Sequence, residues 1–161
     1  VPEQMAFRYW PVPGNMAKRS NGYTSRSWTH VVVKAKTGVN LDKVRNMADL
    51  TGAVEAAILA QQQGMRQWSL SHIVRNYTES GDHGGTIVTW LHEMGHQVQF
   101  QAMRMEIPTP GLNESITTYS MQDTMEWHAE HFAAWALNRA MLETHYPAIV
   151  AYFDELMGEL L

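Results

Sequence analysis

The sequence predicts an α+β domain, with a small mixed sheet packed on a long central helix and a helical C-terminal part. Three observations carry that expectation. Two segments, Thr29–Lys36 and Met65–Tyr77, read as strands. Apolar residues recur at three- and four-residue steps in the longer stretches between and after them. Beyond residue 122 the chain reads as two successive helices. With 161 residues, 45% hydrophobic and 17% charged, residues 1–161 have the size and composition of a single globular domain with one core. The start at Val1-Pro2 and the lack of a signal peptide suggest one domain of a longer protein.

Taken in order, residues 1–28 carry prolines at 2, 11 and 13 and read as an extended lead-in segment, with Phe7, Tyr9 and Trp10 as aromatic anchors. Thr29–Lys36 holds a β-branched run between polar flanks, which predicts a strand. Thr37-Gly38 is a turn and Asn40 a good N-cap. Val44, Met47, Leu50, Val54 and Ile58 then predict an amphipathic helix that closes at Gly64. Trp68, Leu70, His72 and Val74 alternate at period two, so Met65–Tyr77 is expected to be the second strand. Residues 79–85 read as a loop, and a long helix is expected from about Thr86 to Met105, where Pro108, Pro110 and Gly111 follow. Residues 106–122 read as mostly loop. Helices over about Asp123–Leu142 and from Pro147 to the end complete the chain.

The net charge is −4 with no block of like charges, so neither nucleic-acid nor membrane-surface binding is expected. No apolar run approaches the roughly 18 residues of a transmembrane helix. The chain has no cysteine, which excludes disulfides and thiolate metal sites. Its eleven methionines are expected to be flexible core filler. Composition does not indicate the oligomeric state.

The chemistry is concentrated in His92-Glu93-Met94-Gly95-His96, an H-E-x-x-H motif within the long predicted helix. Residues 92 and 96 stand one turn apart on one face, so their imidazoles can share a Zn²⁺ ion with Glu93 beside it as general base. At about 100° per residue, Ile87, Trp90, Leu91, Met94, Val98 and Ala102 form an apolar stripe. The histidines fall on the opposite side with Val88, Gln99 and Met103, and should face a cleft. Gly95 costs about 1 kcal/mol in mid-helix and suggests close approach of another segment.

A catalytic zinc needs a third protein ligand. Gln99 and Ala102 replace the glycine and histidine of an extended metzincin pattern, which excludes that class. The next candidates lie in Glu126-Trp-His-Ala-Glu-His-Phe132. Glu126 and Glu130 share a helix face, whereas His128 and His131 point well away from it. Glu126 is the favoured ligand, Glu130 the next, and a histidine the remaining option. If Glu126 faces the metal, Glu130 stands behind it, placed to orient a ligand histidine.

These residues resemble the lethal-factor-like zincins, a gluzincin-type family found in polymorphic toxins and in domains fused to phage head proteins. The resemblance rests on His92–His96, on Glu126–Phe132 and on Tyr119, seven residues before Glu126. It covers roughly residues 86–140 and departs at His128 and His131, where an aromatic and a small residue are usual; the extra imidazoles could trap a second ion. It implies a zincin-like fold with the sheet packed on the active-site helix, and His92, His96 and Glu126 as zinc ligands. Glu93 would be the base, and Tyr119 the donor to the developing oxyanion. The implied protein is a zinc metallopeptidase acting on a polypeptide substrate, secreted or virion-associated, with the Met65–Tyr77 strand as a docking edge. The competing expectation is a catalytically inactive zincin-fold binding module.

Overall fold

A computed structural model describes residues 21–33, 38–44 and 46–161. The expected anchors Phe7, Tyr9 and Trp10 lie outside these residues. The described chain is mostly helical with one small sheet. Strands β1 (Gly22–Tyr23) and β2 (Val32–Val33) pair antiparallel, Gly22 opposite Val33 and Tyr23 opposite Val32. β2 lies within the expected Thr29–Lys36 strand, whose residues 34–36 fall outside the described part. Among the described residues the sheet is purely antiparallel rather than mixed.

The second expected strand is overturned. Leu70–Tyr77 is a helix, α2, following α1 (Met47–Gln62). Leu70, Ile73 and Val74 are its buried residues, a helical i, i+3, i+4 set. The period-two pattern is coincidental, because Trp68 is 45% exposed. Ser69 starts the helix by accepting a hydrogen bond from the His72 N–H at 3.1 Å. Helix α1 is shorter than expected. Asn40 caps a 3₁₀ turn, Leu41–Lys43, while Asn46 caps α1 itself.

Helix α3 spans Gly81–Gln101, so most of the expected 79–85 loop is helical. Asp49 Oδ2 anchors its start by accepting from the Ser80 N–H (3.1 Å) and hydroxyl (2.6 Å). Gly84 and Gly85, which suggested a loop, let α2 pack close: a Cβ on Gly84 would lie 2.8 Å from Val74 Cγ1. The helix ends before the expected Met105, because Met103 adopts a left-handed φ of 57°.

Helix α4 spans Thr124–His145, its first turn capped by the Asp123 carboxylate accepting from the Glu126 N–H at 2.8 Å. It breaks at Asn138 (φ −155°, ψ 70°), whose side chain donates to Thr51 O and accepts from the Met141 N–H. Helix α5 spans Pro147–Leu160, with proline in its first turn. The core lies between helices, built from Leu50, Val54, Ile58, Leu70, Val74, Trp127, Phe132, Ile149, Phe153 and Leu156. Among the described residues the methionines are not mainly core filler: Met47, Met65, Met103, Met121 and Met125 are exposed, and Met157 is buried.

Burial on α3 is not confined to the expected apolar stripe, of which Val98 is buried. Ile87, Leu91 and Met94 are only partly buried, whereas Val88, His92, Gly95, His96 and Gln99 are buried. Helices α2 and α4 and the hairpin pack around α3, so its histidine side is buried against protein while His92 also borders a cleft.

Candidate metal centre

Helix α3 supplies His92, Glu93 and His96, and the first turn of α4 supplies Glu126. Gly95 makes their meeting possible. A Cβ there would lie 2.7 Å from Ala129 Cα and 3.0 Å from Ala129 O, so α4 rests directly on the α3 backbone. Glu126, one turn before Glu130 and just ahead of that contact, is thereby carried to the histidines.

His92 Nε2 lies 2.9 Å from Glu126 Oε2, and His96 Nε2 lies 3.3 Å from Glu126 Oε1. One donor atom from each of His92, His96 and Glu126 falls within 4.8 Å of the others, so the group could hold a metal ion. Two imidazoles and a carboxylate are a donor set suited to zinc. Glu126 Oε2 is buried and makes no aligned hydrogen bond among the described residues, although His92 Nε2 is near. A lone pair so placed fits an ion better than it fits the neighbouring imidazole.

Glu130 stands behind His92. Its Oε2 accepts from His92 Nδ1 at 2.7 Å, and its Oε1 accepts from the Leu70 N–H (3.0 Å) and the Thr117 hydroxyl (3.1 Å). Protonation at Nδ1 leaves Nε2 with a lone pair directed at the site. Burial pulls the His92 pKa down, but the carboxylates of Glu126 and Glu130 close to its two ring nitrogens outweigh this and raise it to about 10. Burial pushes Glu126 up, and its contacts with both histidines more than reverse that, holding it well below the carboxylate range. An ion entering here therefore competes with a proton.

Glu93 is buried beside the cluster. Desolvation raises its pKa, opposed by the two histidines. Tyr119 stacks on His92 with ring centroids 5.5 Å apart and 14° between planes, and its ring also meets Trp68 at a centroid distance of 5.3 Å. Burial raises the Tyr119 pKa, reinforced by Glu126, so the phenol keeps its proton. The Tyr119 loop is fixed by its N–H, which donates to Trp68 O at 2.9 Å.

His92, Glu93, Tyr119 and Glu130 line a cleft of about 440 Å³ whose other walls come from Asn21-Gly22, Trp68 and α2. A Cβ on Gly22 would lie 3.0 Å from Glu93 Cγ, so the β1 backbone sits against the acid.

The structure thus brings together all six residues singled out for the site. It does not bring His128 or His131 there. His128 Nδ1 donates to Thr124 O at 2.6 Å and Nε2 accepts from the Tyr152 hydroxyl. His131 Nδ1 donates to Trp127 O (2.8 Å) and Nε2 accepts from the Ile116 N–H (3.2 Å). Both rings are satisfied in the core, which removes the expected trap for a second ion. Thr117, Trp68 and Arg75 were missed. Thr117 and Trp68 act from loops without periodicity, and Arg75 was hidden by the misread strand.

The chain matches no protein-family model, no curated protein and no solved structure.

Proposed function

We propose that the chain is a zinc-dependent endopeptidase of zincin-like fold. The observation that carries this reading is the convergence of His92, His96 and Glu126 beside a buried Glu93, with His92 and Glu93 themselves lining a cleft. A zinc ion on those three residues would supply Lewis acidity and bring the pKa of a water towards about 7. Glu93 takes the proton from the attacking water and passes it to the leaving amine, a role favoured by its raised pKa. Tyr119, held protonated against His92, donates to the developing oxyanion; one such donor is typically worth about 3 kcal/mol. Glu130 fixes the His92 tautomer. The substrate edge moves from the expected Met65–Tyr77 strand to β1, which borders the cleft and has no second partner strand among the described residues.

Peptide-library cleavage by wild type and Glu93→Gln, with zinc content measured in parallel, tests this reading. Expected are retained zinc and a loss of roughly 10²–10⁴-fold in kcat. Undiminished cleavage by the variant would sink the mechanism. A zinc-loaded wild type that cleaves nothing would favour a non-catalytic binding module instead.

A further inference from the structure

Arg75 on α2 lines the same cleft, and the hydrolysis proposed above does not use it. Its aliphatic stem lies on the bare backbone of Gly85, where a Cβ would come 2.2 Å from Arg75 Cγ and 2.8 Å from Nε. So guided, Nη2 donates to Thr89 Oγ1 at 2.9 Å. Thr89 precedes Glu93 by four residues of α3, which puts the cation's partner about 6 Å along the helix from the level of the proposed base.

The guanidinium is under-used where it stands. Its side chain is 12% exposed, and among the described residues it makes that single hydrogen bond out of five possible N–H donors. Asp82 Oδ1 is 3.7 Å from Nε, too far for a hydrogen bond, on a side chain 46% exposed. The carboxylates of the cleft wall are Glu93 and Glu130, and both oxygens of Glu130 are already engaged. Burial lowers the Arg75 pKa against the pull of Asp82, its loose ion-pair partner. A planar fork in this position suits a carboxylate.

We propose that Arg75 sets substrate specificity: it binds a peptide carboxylate, from an Asp or Glu side chain or from the C terminus, next to the scissile bond. An extended peptide rises about 3.3 Å per residue, so a carboxylate on Arg75 belongs one or two residues from the bond at Glu93. The proposal rests on the peptidase reading but is tested separately by binding.

The probe is a set of fluorescent heptapeptides carrying Asp, Glu, Asn or Gln at each position, each with a free or amidated C terminus. Affinity is measured by anisotropy on zinc-loaded Glu93→Gln protein, with and without Arg75→Met or Arg75→Lys. Carboxylate peptides should bind about tenfold or more tighter than their amides. Arg75→Met should erase that ratio and leave amide peptides unaffected, and Arg75→Lys should restore part of it. Loss on amidation of the terminus identifies a C-terminal carboxylate, and loss on Asp→Asn or Glu→Gln replacement a side chain. An unchanged ratio in Arg75→Met, or no binding by any peptide, overturns the assignment. Wild-type cleavage of the same set reports on the peptidase reading independently.

Discussion

Two pairs of buried histidines stand on adjacent helices and meet opposite fates. His92 and His96 on α3 turn their Nε2 atoms towards Glu126, whereas His128 and His131 on α4 spend both ring nitrogens on backbone groups and a tyrosine hydroxyl. Burial lowers the second pair to about 4 and about 3, and carboxylates raise His92 to about 10. Burial alone therefore does not make a metal ligand. What matters is whether a lone pair is left pointing at other donors, and here Gly95 and Glu130 arrange that for one pair only.

The largest test of this contrast is Glu130→Gln. Glu130 accepts from three donors, and the Leu70 N–H cannot reverse its role. The new amide must lose either Leu70 or His92, so zinc affinity should fall about 10–100-fold by isothermal titration. Unchanged affinity would show that His92 needs no partner behind it. Next in size, His131→Leu leaves the buried Ile116 N–H without its acceptor and should cost about 1–3 kcal/mol in denaturant unfolding, with zinc stoichiometry intact. Zinc loss in that variant would erase the distinction between the pairs.

The smallest effect is in the pH profile. His128 and His131 titrate near 6.5 when unfolded and lower when folded, so the unfolded state binds more protons between those values. Their contribution is complete above about 6.5 and is lost as pH falls through about 4 and then about 3. Thermal melts of the His131→Leu protein should show a shallower decline over that range than wild type.

The candidate ligands were legible in the sequence because helical phase is a local property: His92 and His96 four apart, Glu126 and Glu130 four apart. The close approach at Gly95 was legible for a different reason, the cost of a glycine in mid-helix. The side of α3 that would be buried was not, since it depends on how α2, α4 and the hairpin arrange around it. Residues 70–77 failed because Leu70 and Val74, four apart, fit both periods; Ile73, which fits only the helix, and the Ser69 cap were the signals that decide. Thr117 and the Leu70 N–H reach Glu130 from segments distant in sequence, a meeting that only the fold creates.

Anomalous diffraction at the zinc edge from crystals of the zinc-loaded protein tests the central claim most directly. One peak is expected, bonded by His92 Nε2, His96 Nε2 and a Glu126 carboxylate oxygen, with Glu130 on His92 Nδ1. A peak ligated instead by Glu130, His128 or His131, or none between α3 and α4, would contradict it.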